Sequence, residues 1–394
     1  MRVLYISHVG NLAGAARSLL ELIVSFPKNK IQPHIISPEG AFADEIRAKR
    51  IPIINTIGIS QFDNTQYSFY RKLRWIIVMR EIFLFFCTLK ILIKAKKLWG
   101  NFDVIHINEI TMLPAIILAK LIFKKSKLLV HVRSKQRQKN NIRLKLITYL
   151  LRKNVDALIS IDKNVSNSLH KSLSNTIIHN GLNLKSRKIK YKKNNKNFSV
   201  NMVGMLHKSK GCFDFVNAAR ICVEKGYEIS FVFHGSENYR PNTILNKTLR
   251  FLGFKQDVSL EIKELIHELD LSKYFHFNNF TTDFNKIYSN QNILCFTSVL
   301  DSPGRPVFEA AYFKVPSILA ISEPMDDTFI DGETGLTYLS SDYKDLANKI
   351  MYLYDNPMIR SDMGEKALAL ADKNFDQIVN AKEVLKKYQQ MIKI

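Results

Sequence analysis

Short, nearly continuous apolar runs recur along this chain, each followed by a longer stretch in which apolar residues return at helical spacing. VLYIS (3–7), PHIIS (33–37), DVIHI (103–107), KLLVHV (127–132), ALISI (157–161) and NTIIH (175–179) are rich in β-branched residues. Runs of that length and composition are parallel strands buried on both faces. GAARSLLELIVSF (14–26) and NEITMLPAIILAKLIF (108–123) lie between them and read as helices. Strand–helix alternation predicts βαβ units and a doubly wound α/β sheet. The pattern pauses at NLKSRKIKYKKNNKNF (183–198), a polar, basic stretch that reads as a linker. It resumes with FSVNMVG (198–204), ISFVFHG (229–235), YFHFNNF (274–280), NILCFTS (292–298) and PSILAIS (316–322). Residues 236–258 form an irregular insertion, and the tail from Asp342 is helical with a break at Asp355-Asn356-Pro357. The expectation is two doubly wound domains, 1–185 and 198–375, joined by a linker at 186–197 and closed by a last helix, 376–394.

The totals agree with this division. A chain of 394 residues suggests two or three domains, and 46% apolar residues with only 15 Gly and 11 Pro supply ample core material. Cys87, Cys212, Cys222 and Cys295 show neither zinc spacing nor a C-x-x-C pair, which fits a reducing compartment. The opening MRVLYISHVG has an apolar run too short for a secretion signal, so a cytosolic protein is expected. Charge is the uneven quantity. Residues 1–200 hold 36 Lys and Arg against 10 Asp and Glu, whereas residues 201–394 hold 22 against 25. The two halves should meet different partners.

Ligands of doubly wound sheets bind outside the carboxyl ends of the strands, which directs attention to the turns that follow them. HVGNLAGAARSLLEL (8–22) is a polar turn entering a helix at Gly14, suited to an anion or simply a capped helix. No G-x-G-x-x-G occurs anywhere, which disfavours a dinucleotide dehydrogenase. VGMLHKSKG (203–211) projects Lys208 and Lys210 from a loop closed by Gly211, suited to a diphosphate or merely solvated. VLDSPGRPVFEAAYFKVP (299–316) starts a helix with Pro306 in its first turn, Asp301 ahead of it and Glu309 about one turn inside. The two acids could be an acid–base pair, metal ligands or sugar clamps. They could also be an ordinary helix start, where a negative charge is worth ~0.3–1 kcal/mol.

Taken together, these segments resemble the retaining GT-B glycosyltransferases of family 4. That family carries E-x7-E, commonly as E-G-F-G-…-E-A followed by G-x-P-V. Here Asp301 and Glu309 stand at that spacing with Gly304 between them, followed by EAAYFKVPS. VGMLHKSKG occupies the place of G-R-L-x-x-x-K-G, and FIDGETGL (329–336) that of a D-G-x-x-G-L turn. AGAARSLLEL, FDVIHIN and IIHNGLN (177–183) match the N-terminal glycine loop, the D-V-x-H strand and P-N-G-x-D. The resemblance implies a GT-B fold, with two Rossmann-like domains facing across a cleft and a C-terminal helix returning to the first. It further implies that Glu309 grips the ribose of a nucleotide diphosphate-sugar and Asp301 the transferred sugar. Lys210, the 302–305 turn and the Gly14 loop would then hold the diphosphate. Gly204, Gly235, Ser302, Gly304 and Val307 complete the donor side. On this reading the acids are sugar clamps, the leaving phosphate accepts the proton, and electrostatic stabilisation supplies most of the catalysis.

This chain departs from the pattern in four ways. Its first acid is aspartate, shorter by about 1.5 Å. Met205 stands where the family has arginine, and Pro303 and Pro306 lack N–H groups. Arg305 and Lys208 are the substitutes for the missing charge. Finally, Arg133 falls where the family has a histidine, with His131 two residues earlier on the same strand face. Arg133 is thus a catalytic candidate, and His131 and His106 are acceptor-side candidates, His106 equally a core histidine. No D-x-D triplet or other metal-ligand spacing occurs, so no metal or cofactor is expected.

Residues 68–99 are apolar almost all round, with basic clusters at both ends, interrupted by Arg80, Glu81 and Lys90. They read either as a buried helix or as one lying on an anionic membrane surface. AKLIFKKSKLL and IRLKLITYLLRKN repeat the theme. Because the family's N-terminal domain binds acceptor, a lipid-linked saccharide of polysaccharide assembly is implied, with the protein peripheral on the cytoplasmic face of the cell membrane. The rivals are a sugar-nucleotide epimerase of GT-B fold, a degenerate non-catalytic partner, and a nucleic-acid binder. The last is disfavoured because no recognition helix or aromatic-interleaved basic motif accompanies the charge.

Overall fold

The computed structural model describes residues 1–12, 14–65, 76–138, 142–183, 189, 197–235 and 258–393. The expected linker (save 189 and 197), the insertion through 257, and residues 68–75 of the long apolar stretch lie outside them. The chain divides into two compact units, Met1–Asn183 with Phe375–Ile394, and Leu184–Asn374.

In the first unit β1 (Arg2–Ile6), β2 (Gln32–Pro38), β3 (Ile53–Thr56), β4 (Val104–Ile107), β5 (Lys127–Val132), β6 (Ala157–Ser160) and β7 (Thr176–Ile177) form a parallel sheet. Their order is β3-β2-β1-β4-β5-β6-β7. The register sets Tyr5 beside Ile35 on one side and His106 on the other. Period-two alternation makes both faces apolar. Leu4 and Ile6 pack with Leu92, Ala95 and Ile116, while Val3 and Tyr5 pack with Leu19, Ile23 and Tyr388. The C-terminal helix Gln377–Lys393 lays Ala381, Val384, Tyr388 and Met391 onto this second face, beside helix Gly14–Ser25.

The long helix Ile76–Trp99 is two-sided. Glu81, Leu84, Thr88, Leu92 and Ala95 are buried at helical spacing toward helix Leu113–Ile122. Met79, Ile82, Phe83 and Phe86 are exposed on the other side. The buried-helix reading therefore holds for one face, and the other face is apolar and exposed. Among the described residues no helix is long and apolar enough to cross a membrane.

In the second unit β8 (Phe198–Val203), β9 (Ile229–His234), β10 (Phe275–Asn278), β11 (Ile293–Phe296), β12 (Ser317–Ala320) and β13 (Gly335–Tyr338) are ordered β10-β9-β8-β11-β12-β13. All pairings are parallel. Phe215, Phe231, Phe233 and Phe275 dominate its core, with ring centroids 5.2–6.1 Å apart, the spacing at which aromatic pairs attract. Two strands, β3 and β13, are not apparent in the sequence pattern. Both are four-residue sheet edges, and they carry Asn55, Thr56, Gly335 and Thr337 instead of a continuous apolar run.

Candidate functional site

In the second sheet the strand order reverses between β8 and β11, and the turns after those two strands meet there. Thr297 Oγ1 donates to the Lys210 carbonyl at 2.6 Å, and Val299 N–H to the Ser209 carbonyl at 3.1 Å. Gly211 makes the approach possible. It sits at φ 67°, and a Cβ there would lie 2.1 Å from the Thr297 carbonyl oxygen. Any side chain would push the two turns apart.

Lys210 leans over this junction with Nζ 5.7 Å from the centre of the Phe296 ring. No carboxylate pairs with it among the described residues, and burial lowers its pKa. The neighbouring Cys212 thiol is pushed up to about 11 and stays protonated, so it offers no compensating charge. Gly304 faces the same ring, since a Cβ there would lie 2.4 Å from Phe296 Cζ. At Gly204 a Cβ would meet nothing within 4 Å, which leaves the β8 turn open to a ligand. Gly235 closes the neighbouring β9 end, its N–H donating to the Asn278 carbonyl at 3.1 Å.

Helix Arg305–Ala311 begins after this turn. Glu309 is buried, its Oε2 accepting from Tyr288 OH at 2.9 Å and its Oε1 from Arg305 Nε at 2.7 Å. Asp301 sits at φ 46°, beside the partly buried Ser302. Its Oδ1 accepts from Ser322 N–H at 2.8 Å and Ser322 Oγ at 3.0 Å, tying the β11 turn to the one after β12.

Three donor-side expectations are revised. Arg305 is not a detached phosphate cation, because its Nε is engaged by Glu309 one turn on. Lys208 is exposed and pairs with Glu261 at 3.1 Å, so it points at the helix Val258–Glu268. The Val307 amide donates to the Gly304 carbonyl at 3.0 Å, which withdraws it from any phosphate. Tyr288, Phe296 and Ser322 are the partners that sequence reasoning missed.

In the first unit Arg133 follows β5 and is held by its neighbours. Nε donates to the Asn108 carbonyl at 3.1 Å and to Asn108 Oδ1 at 3.0 Å, Nη1 to Asn180 Oδ1, and Nη2 to His131 Nδ1 at 3.3 Å. His106 is fully buried, with Nδ1 2.5 Å from Tyr388 OH and its ring between Tyr5 and His131. Burial, with Arg133 adding to it, lowers its pKa to about 3. His131 is also buried, and its pKa is shifted down for the same reasons. The cavity that His131 and Arg133 line with Asn180, Gln377 and Asn380 is only about 10 Å³, room for about one water. An acceptor cannot reach either histidine in this arrangement. The pair is a polar tie between the sheet and the C-terminal helix. Gly14 opens helix Gly14–Ser25 at the same sheet edge, and a Cβ there would meet nothing within 4 Å. His8, after β1, is a further, partly buried histidine, with its pKa lowered to about 4 by desolvation. Among the described residues no group of three or more His, Cys, Asp or Glu could hold a metal ion.

A twofold doubly wound fold, with a buried glutamate and a lysine that no described carboxylate pairs at a strand-order switch, defines an α/β protein of the GT-B kind. Residues 183–369 match the family model for glycosyl transferases group 1. The chain is 26% identical over 199 residues to the capsular polysaccharide biosynthesis glycosyltransferase CapM of Staphylococcus aureus. That match spans half of this chain and about half of the relative's length, 50% and 48%. The whole fold is similar to HepE of Anabaena, a structure in complex with UDP-glucose, with TM-score 0.74, 17% identity, and coverage of 99% of this chain and 100% of the other. It is also similar to a glycosyltransferase from Rickettsia africae, with TM-score 0.72, 17% identity, and coverage of 100% and 98%. The C-terminal unit therefore belongs to the glycosyl transferases group 1, on a chain whose two units have the GT-B fold.

Proposed function

We propose that this protein transfers a sugar from a nucleotide diphosphate-sugar, with retention of anomeric configuration, to a lipid-linked or polysaccharide-precursor acceptor. The observation that carries the reading is Lys210, a largely buried ammonium without a counter-ion among the described residues, at the β8/β11 switch. Burying a charge unpaired is costly, and a diphosphate placed there removes the cost. The ribose hydroxyls donate to the Glu309 carboxylate, whose orientation Tyr288 and Arg305 fix. Asp301, locked by Ser322, sits at the end of the β11 turn to meet hydroxyls of the transferred sugar. As the bond to the anomeric carbon breaks, negative charge grows on the leaving diphosphate, where Lys210 stabilises it in a site of low dielectric. The departing phosphate accepts the acceptor's proton, so neither acid acts as a general base and no metal or cofactor is required. Arg133, braced by Asn108 and Asn180, supplies positive charge on the acceptor side.

The capsular-polysaccharide role in the name of the CapM relative supports a polysaccharide-precursor acceptor, and the UDP-glucose in the HepE structure supports a nucleotide-sugar donor. The basic first half and the exposed apolar side chains of Ile76–Trp99 support a peripheral position on an anionic membrane face inside the cell. The test is incubation with a panel of nucleotide diphosphate-sugars and membrane lipid extract. The expected product is a glycolipid whose anomeric coupling constant matches the donor's. Inverted configuration, or free sugar epimers in place of transfer, would refute the reading.

A further inference from the structure

The second unit holds a cavity of about 620 Å³ at the opposite end of its sheet from the Lys210 turn. Phe198 opens β8 and Ile229 opens β9, while Tyr274 stands just before β10 and Asn292 just before β11. Parallel pairing sets these strand starts side by side. The six residues of β8 separate them from the donor turn by roughly 20 Å. No residue placed in the donor site lines this cavity. Its volume is that of a small-molecule site.

The lining is aromatic and polar at once. The Tyr354 ring lies 4.7 Å from the Phe198 ring, centre to centre, and the half-buried Tyr274 joins them. Neither tyrosine hydroxyl, nor the side chain of Glu228, Ser230 or His276, has a hydrogen bond to protein among the described residues. Asn292 uses its Oδ1 on the Ser199 amide at 2.8 Å, which leaves its NH2. Two cations stand here, and no carboxylate pairs with either among the described residues. Lys273 Nζ lies 4.9 Å from the centre of the Tyr274 ring. The Arg360 guanidinium lies 4.8 Å from the centre of the Phe198 ring, with Nη1 on the Leu353 carbonyl at 2.6 Å, and burial lowers its pKa. An anion brought to this guanidinium offsets that burial.

Each feature narrows the ligand. Glu228 opposes a phosphate or a nucleotide, whose charge is dense, and accepts from a hydroxyl instead. Ser230 and the two tyrosines both donate and accept, which matches the hydroxyls of a sugar. The aromatic faces are the negative poles of their rings, and they suit the C–H face of a pyranose. Two cations against one acid leave positive charge for a single carboxylate.

We propose that this cavity binds an acidic saccharide, with a sugar ring against the Tyr274 and Tyr354 aromatics and its carboxylate toward Lys273 and Arg360. It is a second sugar site, separate from the donor turn, and it stands whether or not the transfer reading does. Beside a transfer site it retains a chain by a sugar remote from the reacting end. Calorimetry of the full chain with hexasaccharides of galacturonate, mannuronate and hyaluronan tests it, with maltohexaose as the neutral control. At least one acidic hexasaccharide should bind, at least tenfold more tightly than maltohexaose. Lys273→Glu should weaken that binding at least tenfold and His276→Ala several-fold, both at exposed positions. Nucleotide-sugar affinity, read separately on the same variants, should not move. Failure of all three acidic hexasaccharides to bind would overturn the proposal, as would equal binding of maltohexaose or an unchanged affinity in Lys273→Glu. Competition by inorganic phosphate as effective as by the hexasaccharide would overturn it too, by reducing the cavity to a simple anion site. A parallel loss of nucleotide-sugar affinity in Lys273→Glu would contradict its separation from the donor turn.

Discussion

Arg305 Nε stands 2.7 Å from Glu309 Oε1, one helical turn away, and both side chains are shielded from water. The pair splits two roles that the sequence left merged. Arg305 fixes the carboxylate, and Lys210 is left as the cation for the diphosphate. Removing one partner of a shielded pair strands the other, at a cost of about 3–5 kcal/mol. Glu309→Ala should therefore lower stability by about that much and abolish donor binding. The double variant Glu309→Gln, Arg305→Met should recover most of the stability and none of the binding, as thermal unfolding and calorimetry on the same samples would reveal. Recovered binding would remove Glu309 from the donor site.

Lys210→Met is expected to separate stability from activity. It replaces a largely buried ammonium, unpaired among the described residues, with a side chain of similar length that needs no counter-charge. The melting temperature without donor should stay level or rise, while kcat/KM falls by at least tenfold, about 1.4 kcal/mol or more of transition-state stabilisation. A fall in both would mean that the lysine supports the fold.

The same lysine sets a pH dependence. Burial lowers its pKa in the free protein, and a diphosphate beside it would raise the pKa again, so donor binding takes up a proton once the pH exceeds the lowered value. Donor affinity should decline on the alkaline side at lower pH than an ordinary lysine predicts. Lys210→Met should abolish this decline, and its persistence in the variant would assign it elsewhere.

Acid should destabilise the protein before its carboxylates titrate. His106 is held down to about 3, and His8 and His234 to about 4, each by burial. Their unfolded counterparts take up protons near 6.5, so between that value and the folded ones the unfolded chain binds more protons. Stability is full above about 6.5 and falls steadily as pH drops toward 4, each depressed unit contributing about 1.4 kcal/mol per histidine. Urea unfolding between pH 7 and pH 4.5 should show the loss, and His234→Gln should reduce its slope. A flat profile would contradict the burial of these rings.

Much of the architecture is legible in the sequence because buried parallel strands need continuous apolar runs. KLLVHV coincides with β5, and FSVNMVG, ISFVFHG and NILCFTS each contain their strand with one to three residues to spare. β3 and β13 are hidden because Asn55, Thr56, Gly335 and Thr337 interrupt any apolar run there. In the site, the loops were found from turn chemistry and motif spacing, since Gly211 and Gly304 mark close backbone and ring approaches. The partners of those residues were not, because Tyr288 and Glu309 meet through tertiary packing across 21 positions, and no local pattern encodes that. His106 and His131 misled for the same reason. Their strand positions are right for a sheet edge, but the C-terminal helix covers them through Tyr388.

Titration of the full chain with a panel of nucleotide diphosphate-sugars, run in parallel on wild type, Lys210→Met and Glu309→Ala, addresses the donor site most directly. At least one sugar nucleotide should bind the wild type, at least tenfold more weakly to Lys210→Met, and undetectably to Glu309→Ala. Equal heats from all three proteins for every member of the panel would contradict it.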